Sequence, residues 1–242
     1  MALVWLVPVL VVMGVSAGVL TTLTGQGGGV LLLLLCSMWM GPRAALAVTA
    51  PALLLGNVHR AYLFRSALDR PMAKRLVMGA LPGGLVGGFL AGVVSPMVLK
   101  VLLGVMTLIA IAKAVGVVSF RLPRAVLGPA GFVVGAMTGT SGGAGILFSP
   151  ILLSAGLTGS PYVATISLVA AVTHFARVVA YGTSGLLTRE LVLPIVVIGA
   201  TIFVGNSLGE RLRRRISDRG TTWLEYGTLV ACVTLSLLGV RP

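Results

Sequence analysis

The sequence predicts an all-α polytopic membrane protein built as two inverted repeats of about five helical segments each. Three observations lead there: a composition that water cannot solvate, a succession of apolar runs, and self-similarity at one fixed offset. Of 242 residues, 57% are apolar and only 10% charged, with a mean hydropathy of +1.08. Soluble domains carry roughly 25% charged residues, so lipid must be the solvent for most of this chain. The same figures exclude a cytosolic enzyme, a secreted disulfide scaffold and a disordered tail. Residues 1–10 carry no Lys or Arg and no small-residue cleavage site, and read as a retained first membrane segment.

The apolar runs are 3–24, 28–40, 44–64, 76–94, 98–118, 126–138, 145–157, 162–182, 191–208 and 223–240. Most reach the length of a helical span. Three of them, 28–40, 126–138 and 145–157, are 13 residues long and cover only about 20 Å as helix, too little to cross alone. None alternates polar and apolar residues as a membrane β-strand would.

Sliding the chain against itself by 117 positions superposes Gly14 on Gly131, Gly18 on Gly135, Thr21 on Thr138, Thr24 on Ser141, Gly25 on Gly142 and Gly28 on Gly145. The offset persists through Ala47 on Ala164, Asn57 on His174, Arg60 on Arg177, Gly88 on Gly205 and Gly92 on Gly209. One transmembrane domain, 1–242, therefore divides into repeats 3–118 and 126–240. If each short glycine-linked pair returns to the side it entered from, each half has three further crossings and the halves are oppositely oriented. The basic loops 65–75, 119–124 and 210–220 then all lie in the cytoplasm, with both termini outside. Counting each pair as one broken span would put Arg211, Arg213, Arg214, Arg215 and Arg219 outside. The net charge of +13 is thus read as positive-inside loops, not as a nucleic-acid surface.

The strongest candidate site is the pair of glycine clusters. The first is Thr24, Gly25, Gln26, Gly27, Gly28 and Gly29; the second is Thr140, Ser141, Gly142, Gly143, Ala144 and Gly145. Adjacent glycines permit positive φ and a sharp turn. The helix that follows offers unpartnered N–H groups and a partial positive charge, which suits an anion. With the halves inverted, the two turns are expected to present helix amino termini to one central spot, with Thr24, Gln26, Thr140 and Ser141 as neutral donors. Broken helices at matched positions of inverted halves point to a secondary transporter. The competing readings are close helix packing, which suits isolated glycines such as Gly83, Gly84, Gly87 and Gly88, and a phosphate loop, which lacks its Lys.

These residues carry a family resemblance. Gly25-Gln26-Gly27-Gly28-Gly29 opening an apolar helix, a degenerate second copy Gly142-Gly143-Ala144-Gly145, and Pro150 after it resemble the TauE/SafE sulfite exporter family. The resemblance runs from about residue 10 to 240 and implies transport of sulfite, sulfonates or related sulfur anions.

Other polar residues within apolar runs are functional candidates by default. Arg60 and Arg177, at equivalent places, could attract an anion at either mouth or anchor their helices at the interface. Asn57 and His174 precede them by one turn. His59 reads as interfacial, and Lys100, Lys113 and Glu225 as snorkelling residues. No Asp or Glu lies mid-segment, Cys36 and Cys232 suit neither a disulfide nor a metal, and no nucleophile–base pair is visible, so neither an enzyme nor a cofactor is expected. The expected reading is a small-anion transporter of the cell membrane, the inner membrane if the source is bacterial. Its partners are the anion and the lipid bilayer, with a homodimer left open as its assembly. A channel-like pore and a non-transporting scaffold subunit are the alternatives.

Overall fold

The computed structural model describes residues 2–91, 123–142 and 144–217, with 220, 223, 224 and 227. The expected segment 98–118 lies outside them, as do most of 223–240 and the residues Lys100, Lys113, Gly143, Glu225 and Cys232. All regular structure among the described residues is helical. The helices are α1 (Ala2–Thr24), α2 (Gly28–Met40), α3 (Pro42–Leu63), α4 (Arg70–Phe89), α5 (Leu127–Ser141), α6 (Phe148–Ser154), α7 (Gly159–Thr183) and α8 (Val192–Arg213).

Among the departures from the expected boundaries, three are informative. Helix α4 starts ahead of its apolar run because Asp69 caps it, accepting from the Met72 N–H at 2.9 Å, with Pro71 in its first turn. Helix α5 continues through Gly139 to Ser141 and stops at Gly142, whose φ is +72°. The run 145–157 opens as a 3-10 turn, Ala144–Leu147, and its α-helix is only seven residues long. Of the described helices, the stretches Leu6–Thr24, Gly159–Thr183 and Arg189–Arg213 are long and apolar enough to cross a bilayer by length and composition. Helices α3 and α4 have the length, 22 and 20 residues. Asn57, His59 and Arg60 in one, and Arg70, Lys74 and Arg75 in the other, dilute their hydropathy.

Side-chain and glycine contacts fix the helix directions. Gly14 faces Ile198 and Gly18 faces Ile202, so α1 and α8 run together. Gly79, Gly83 and Gly87 face Gly128, Phe132 and Ala136, so α4 and α5 run together; Gly84 and Gly88 meet Ala176 and Ala180 of α7 in the same sense. Gly199 lies on Ala52 and Gly56 on Ile202, aligning α3 with α8. By contrast Arg60 bonds Ser167 while Arg177 bonds the Leu46 carbonyl, so α3 and α7 are antiparallel. Helices α1, α3 and α8 thus point one way and α4, α5 and α7 the other. This brings the segments 65–75, 124–126 and 211–215 to one end.

Two large apolar cores result, with a small third cluster of Ala50, Ala180 and Tyr181 between α3 and α7. One gathers Leu10, Leu32, Val48 and Ile198 from α1, α2, α3 and α8. The other gathers Leu76, Val134, Leu152 and Val163 from α4, α5, α6 and α7. Each is therefore three helices of one half completed by a helix of the other, and α3 and α7 meet on the seam between the bundles. The outer faces are apolar, with Val12 64% and Met78 66% exposed, whereas Arg60 and Arg177 are 2% and 0% exposed. That inversion of the soluble pattern is what lipid as solvent requires.

Candidate functional site

The first glycine turn follows directly from the end of α1. Gly25 and Gly27 hold φ of +76° and +88°, and a Cβ on Gly25 would lie 2.2 Å from the Tyr162 ring, so the position excludes a side chain on both counts. Gly28 is equally restricted, since its Cβ would meet Thr21 Oγ1 at 2.0 Å and Ala17 O at 2.1 Å. Arg213, reaching back from the end of α8, donates to the Thr22 and Leu23 carbonyls and caps α1 just before the turn. Arg213→Met removes that cap; a destabilisation of about 1–3 kcal/mol is expected, read as a lowered thermal midpoint in detergent.

Gln26 at the tip is buried, and it crosses the seam. Its Oε1 accepts from Ser149 Oγ of α6, which in turn accepts from the Tyr162 hydroxyl at 2.8 Å. Its Nε2 is buried with no hydrogen-bond partner among the described residues. A buried donor left in that state costs about 1–3 kcal/mol.

The second turn docks in the reciprocal manner. A Cβ on Gly142 would lie 2.6 Å from Leu46 of α3, 2.9 Å from Arg177 Nη2 and 3.3 Å from Leu33 of α2. Gly145 has only ordinary contact with Thr138, at 3.7 Å, and Gly143 is outside the described residues. Each turn therefore rests beside the short helix of the other half, the first at Ser149 and the second at Leu33, with both turns packed. Thr24 Oγ1 reaches Leu20 O at 2.8 Å, while Thr140 and Ser141 donate to Met137 O at 2.9 and 2.8 Å. Thr24 Oγ1 also meets the Gln26 carbonyl, so these hydroxyl protons are taken up by main-chain carbonyls, and Gln26 keeps the free donor.

Two guanidinium groups complete the seam. Arg60 donates through Nε to Ser167 Oγ and through Nη2 to Asn57 Oδ1 at 2.6 Å. Arg177 donates through Nη2 to Leu46 O at 3.2 Å and lies 2.9 Å from His174 Nδ1 through Nη1. Its Nε is 3.4 Å from the Tyr181 hydroxyl, which itself donates to Gly139 O. Neither arginine has a carboxylate partner among the described residues. Arg60 lies toward the basic end and Arg177 toward the other, both inside the protein and neither at the interface. His59 of α3 is half-buried against α8, stacked on Phe203 at 4.5 Å.

A small cleft of about 200 Å³, including its open side, lies between α1, α3 and α8 and is lined by Thr21, Asn57, Arg60 and Asn206. None of the glycine-turn residues borders it. Asn206 holds that corner, accepting from Thr22 Oγ1 and donating to Gly56 O. Asn206, Ser149, Tyr162 and Ser167 do not emerge from the sequence reading. Asn206 carried a signal, because the chain has only two Asn and one Gln and all three are buried.

A lipid-facing exterior enclosing a polar seam between two helical bundles is the build of a membrane protein. The chain belongs to the TauE/SafE sulfite exporter family, whose pattern it matches over residues 10–237. That is a family of transporters, not of enzymes. No curated protein and no solved structure matches the chain.

Proposed function

We propose that the protein is a secondary transporter of small anions, sulfite or an organosulfonate, working by alternating access across the cytoplasmic membrane. The observation that carries this reading is the pair of buried guanidinium groups, Arg60 and Arg177, with no carboxylate partner among the described residues. An unpaired buried charge is strongly disfavoured, so an interior that keeps two of them is built for an anion to enter. Arg60, Arg177, Asn57 and His174 would attract and hold it. The orphaned Gln26 amide supplies a donor that an oxyanion oxygen satisfies. The main-chain amides of Gly25, Gly27, Gly28, Gly29, Gly142, Gly143, Ala144 and Gly145 would join when the turns loosen, with Thr24, Thr140 and Ser141 beside them.

The opposite directions of corresponding helices, α1 against α5, α3 against α7 and α4 against α8, support an inverted repeat with halves 3–118 and 126–240. Rocking of the two bundles about the α3–α7 seam would open it to one end and then the other. The basic end is then cytoplasmic. An anion leaving a cell that is negative inside gains about 2.3 kcal/mol per charge per 100 mV, so export needs no other driving ion.

Counterflow in proteoliposomes tests this. Liposomes loaded with unlabelled sulfite are expected to accumulate labelled sulfite faster than empty ones, with saturation. Non-saturating flux without such stimulation overturns alternating access in favour of a pore, and absence of flux overturns transport in favour of a scaffold.

A further inference from the structure

We infer that His174 is a proton-binding partner of the transported anion, so that one of the two arginine stations couples anion binding to proton uptake while the other does not. The inference rests on the anion-transport reading and deepens it. Its basis is a single difference between two otherwise matched arrangements. On α3, Arg60 donates to a residue three positions earlier, Asn57, at 2.6 Å. On α7, Arg177 meets the residue three positions earlier, His174, at 2.9 Å. Asn57 can only accept there through its carbonyl oxygen. A guanidinium has no acceptor, so His174 Nδ1 must present its lone pair to Arg177, and the ring is uncharged in this arrangement.

The surroundings say what would change that. On its own helix His174 has Arg177 and, one turn on, Tyr181, whose hydroxyl is held by Gly139 O. From α3, Arg60 enters the same seam, bonded to Ser167 of the His174 helix. Helix α5 carries no titratable residue, and those of α4 (Arg70, Lys74 and Arg75) are confined to its first two turns. While the seam is empty, the Nδ1 lone pair is committed to the Arg177 Nη1–H, with no carboxylate beside it among the described residues. An anion at Arg177 reverses this balance. It takes the Nη1–H that Nδ1 now accepts, which frees the Nδ1 lone pair, and its charge offsets the guanidinium. A proton from water then binds Nδ1, and the imidazolium N–H donates to the anion. When the anion leaves, the proton returns to water and Nδ1 accepts from Arg177 again. Binding of the one favours binding of the other, as linkage requires.

The test uses the full chain in detergent and two probes, sulfate and methanesulfonate, whose own charges are constant between about pH 5.5 and 8. Wild-type affinity for either probe is expected to rise as pH falls, by up to about tenfold per unit. In a weakly buffered solution with an indicator dye, binding should take up about one proton per anion at the lower end of that range, and less toward pH 8. His174→Asn, which copies the arrangement already present at Arg60, should lose both the slope and the proton uptake. Wild-type binding without proton uptake overturns the coupling but leaves anion transport standing, and so does an unchanged slope in His174→Asn. Failure of the wild type to bind sulfite as well as both probes overturns the anion reading itself. Should His174→Asn not fold, proton uptake by the wild type decides alone.

Discussion

Arg177→Met is expected to reduce sulfite flux at least about 100-fold while leaving the thermal midpoint unchanged or raised. Two charge-assisted hydrogen bonds to an anion are worth about 3–4 kcal/mol together, a factor of about 10²–10³ in affinity. Stability moves the other way because an unpaired buried charge is a liability, and an apolar side chain of similar volume is often neutral or stabilising in its place. Arg60→Met should behave alike, since Arg60 is equally buried and equally without a carboxylate among the described residues. Arg177→Lys keeps the charge and loses the fork that reaches Leu46 O and His174 together, so a smaller loss, about tenfold, is expected. The competing account makes the arginines structural ties between α3 and α7. It predicts that flux and thermal midpoint fall together in the Met variants, and that outcome would remove the main support for anion binding at the seam.

Much of this was legible because membrane helices leave compositional marks. The run 28–40 coincides with α2, bounded by glycines whose positive φ no other residue adopts readily. Arg60 and Arg177 stood out as charges inside apolar runs, and their shared offset foretold corresponding places on α3 and α7. The site's fine structure was not legible, since it comes from pairs 107 to 131 residues apart, such as Arg60 with Ser167, Gln26 with Ser149, and Arg177 with Leu46. The packing of the turns was not legible either: Gly25 rests against Tyr162 and Gly142 against Leu46, contacts between residues far apart in the chain. The completion of each bundle by a helix of the other half had no local signal at all.

Those bundles depend on glycine, and Gly87→Ala should be among the most damaging single substitutions in the protein. Its Cβ would sit 1.9 Å from Ala136 O, and at Gly83 the clash with Phe132 O would come at 2.1 Å. The obstacle is backbone in both cases, so no side-chain rotation relieves it and α4 must move away from α5. Lipid is as apolar as the helix surface, so close packing has no hydrophobic drive behind it to compensate. A loss of about 2–4 kcal/mol for each is expected, read as a lowered thermal midpoint and less monodisperse protein. Gly128 provides the internal control. It lies in α5 against the same partner, but a Cβ there would find nothing nearer than Arg75 O at 3.9 Å. Gly128→Ala should therefore stabilise by about 0.5–1 kcal/mol through helix propensity alone. Were Gly128→Ala and Gly87→Ala to shift the midpoint alike, backbone contact between α4 and α5 could not be what holds this pair together. The same reasoning covers Gly18 and Gly205, which bring α1 and α8 to a comparable approach, so both bundles share one mode of assembly and one vulnerability.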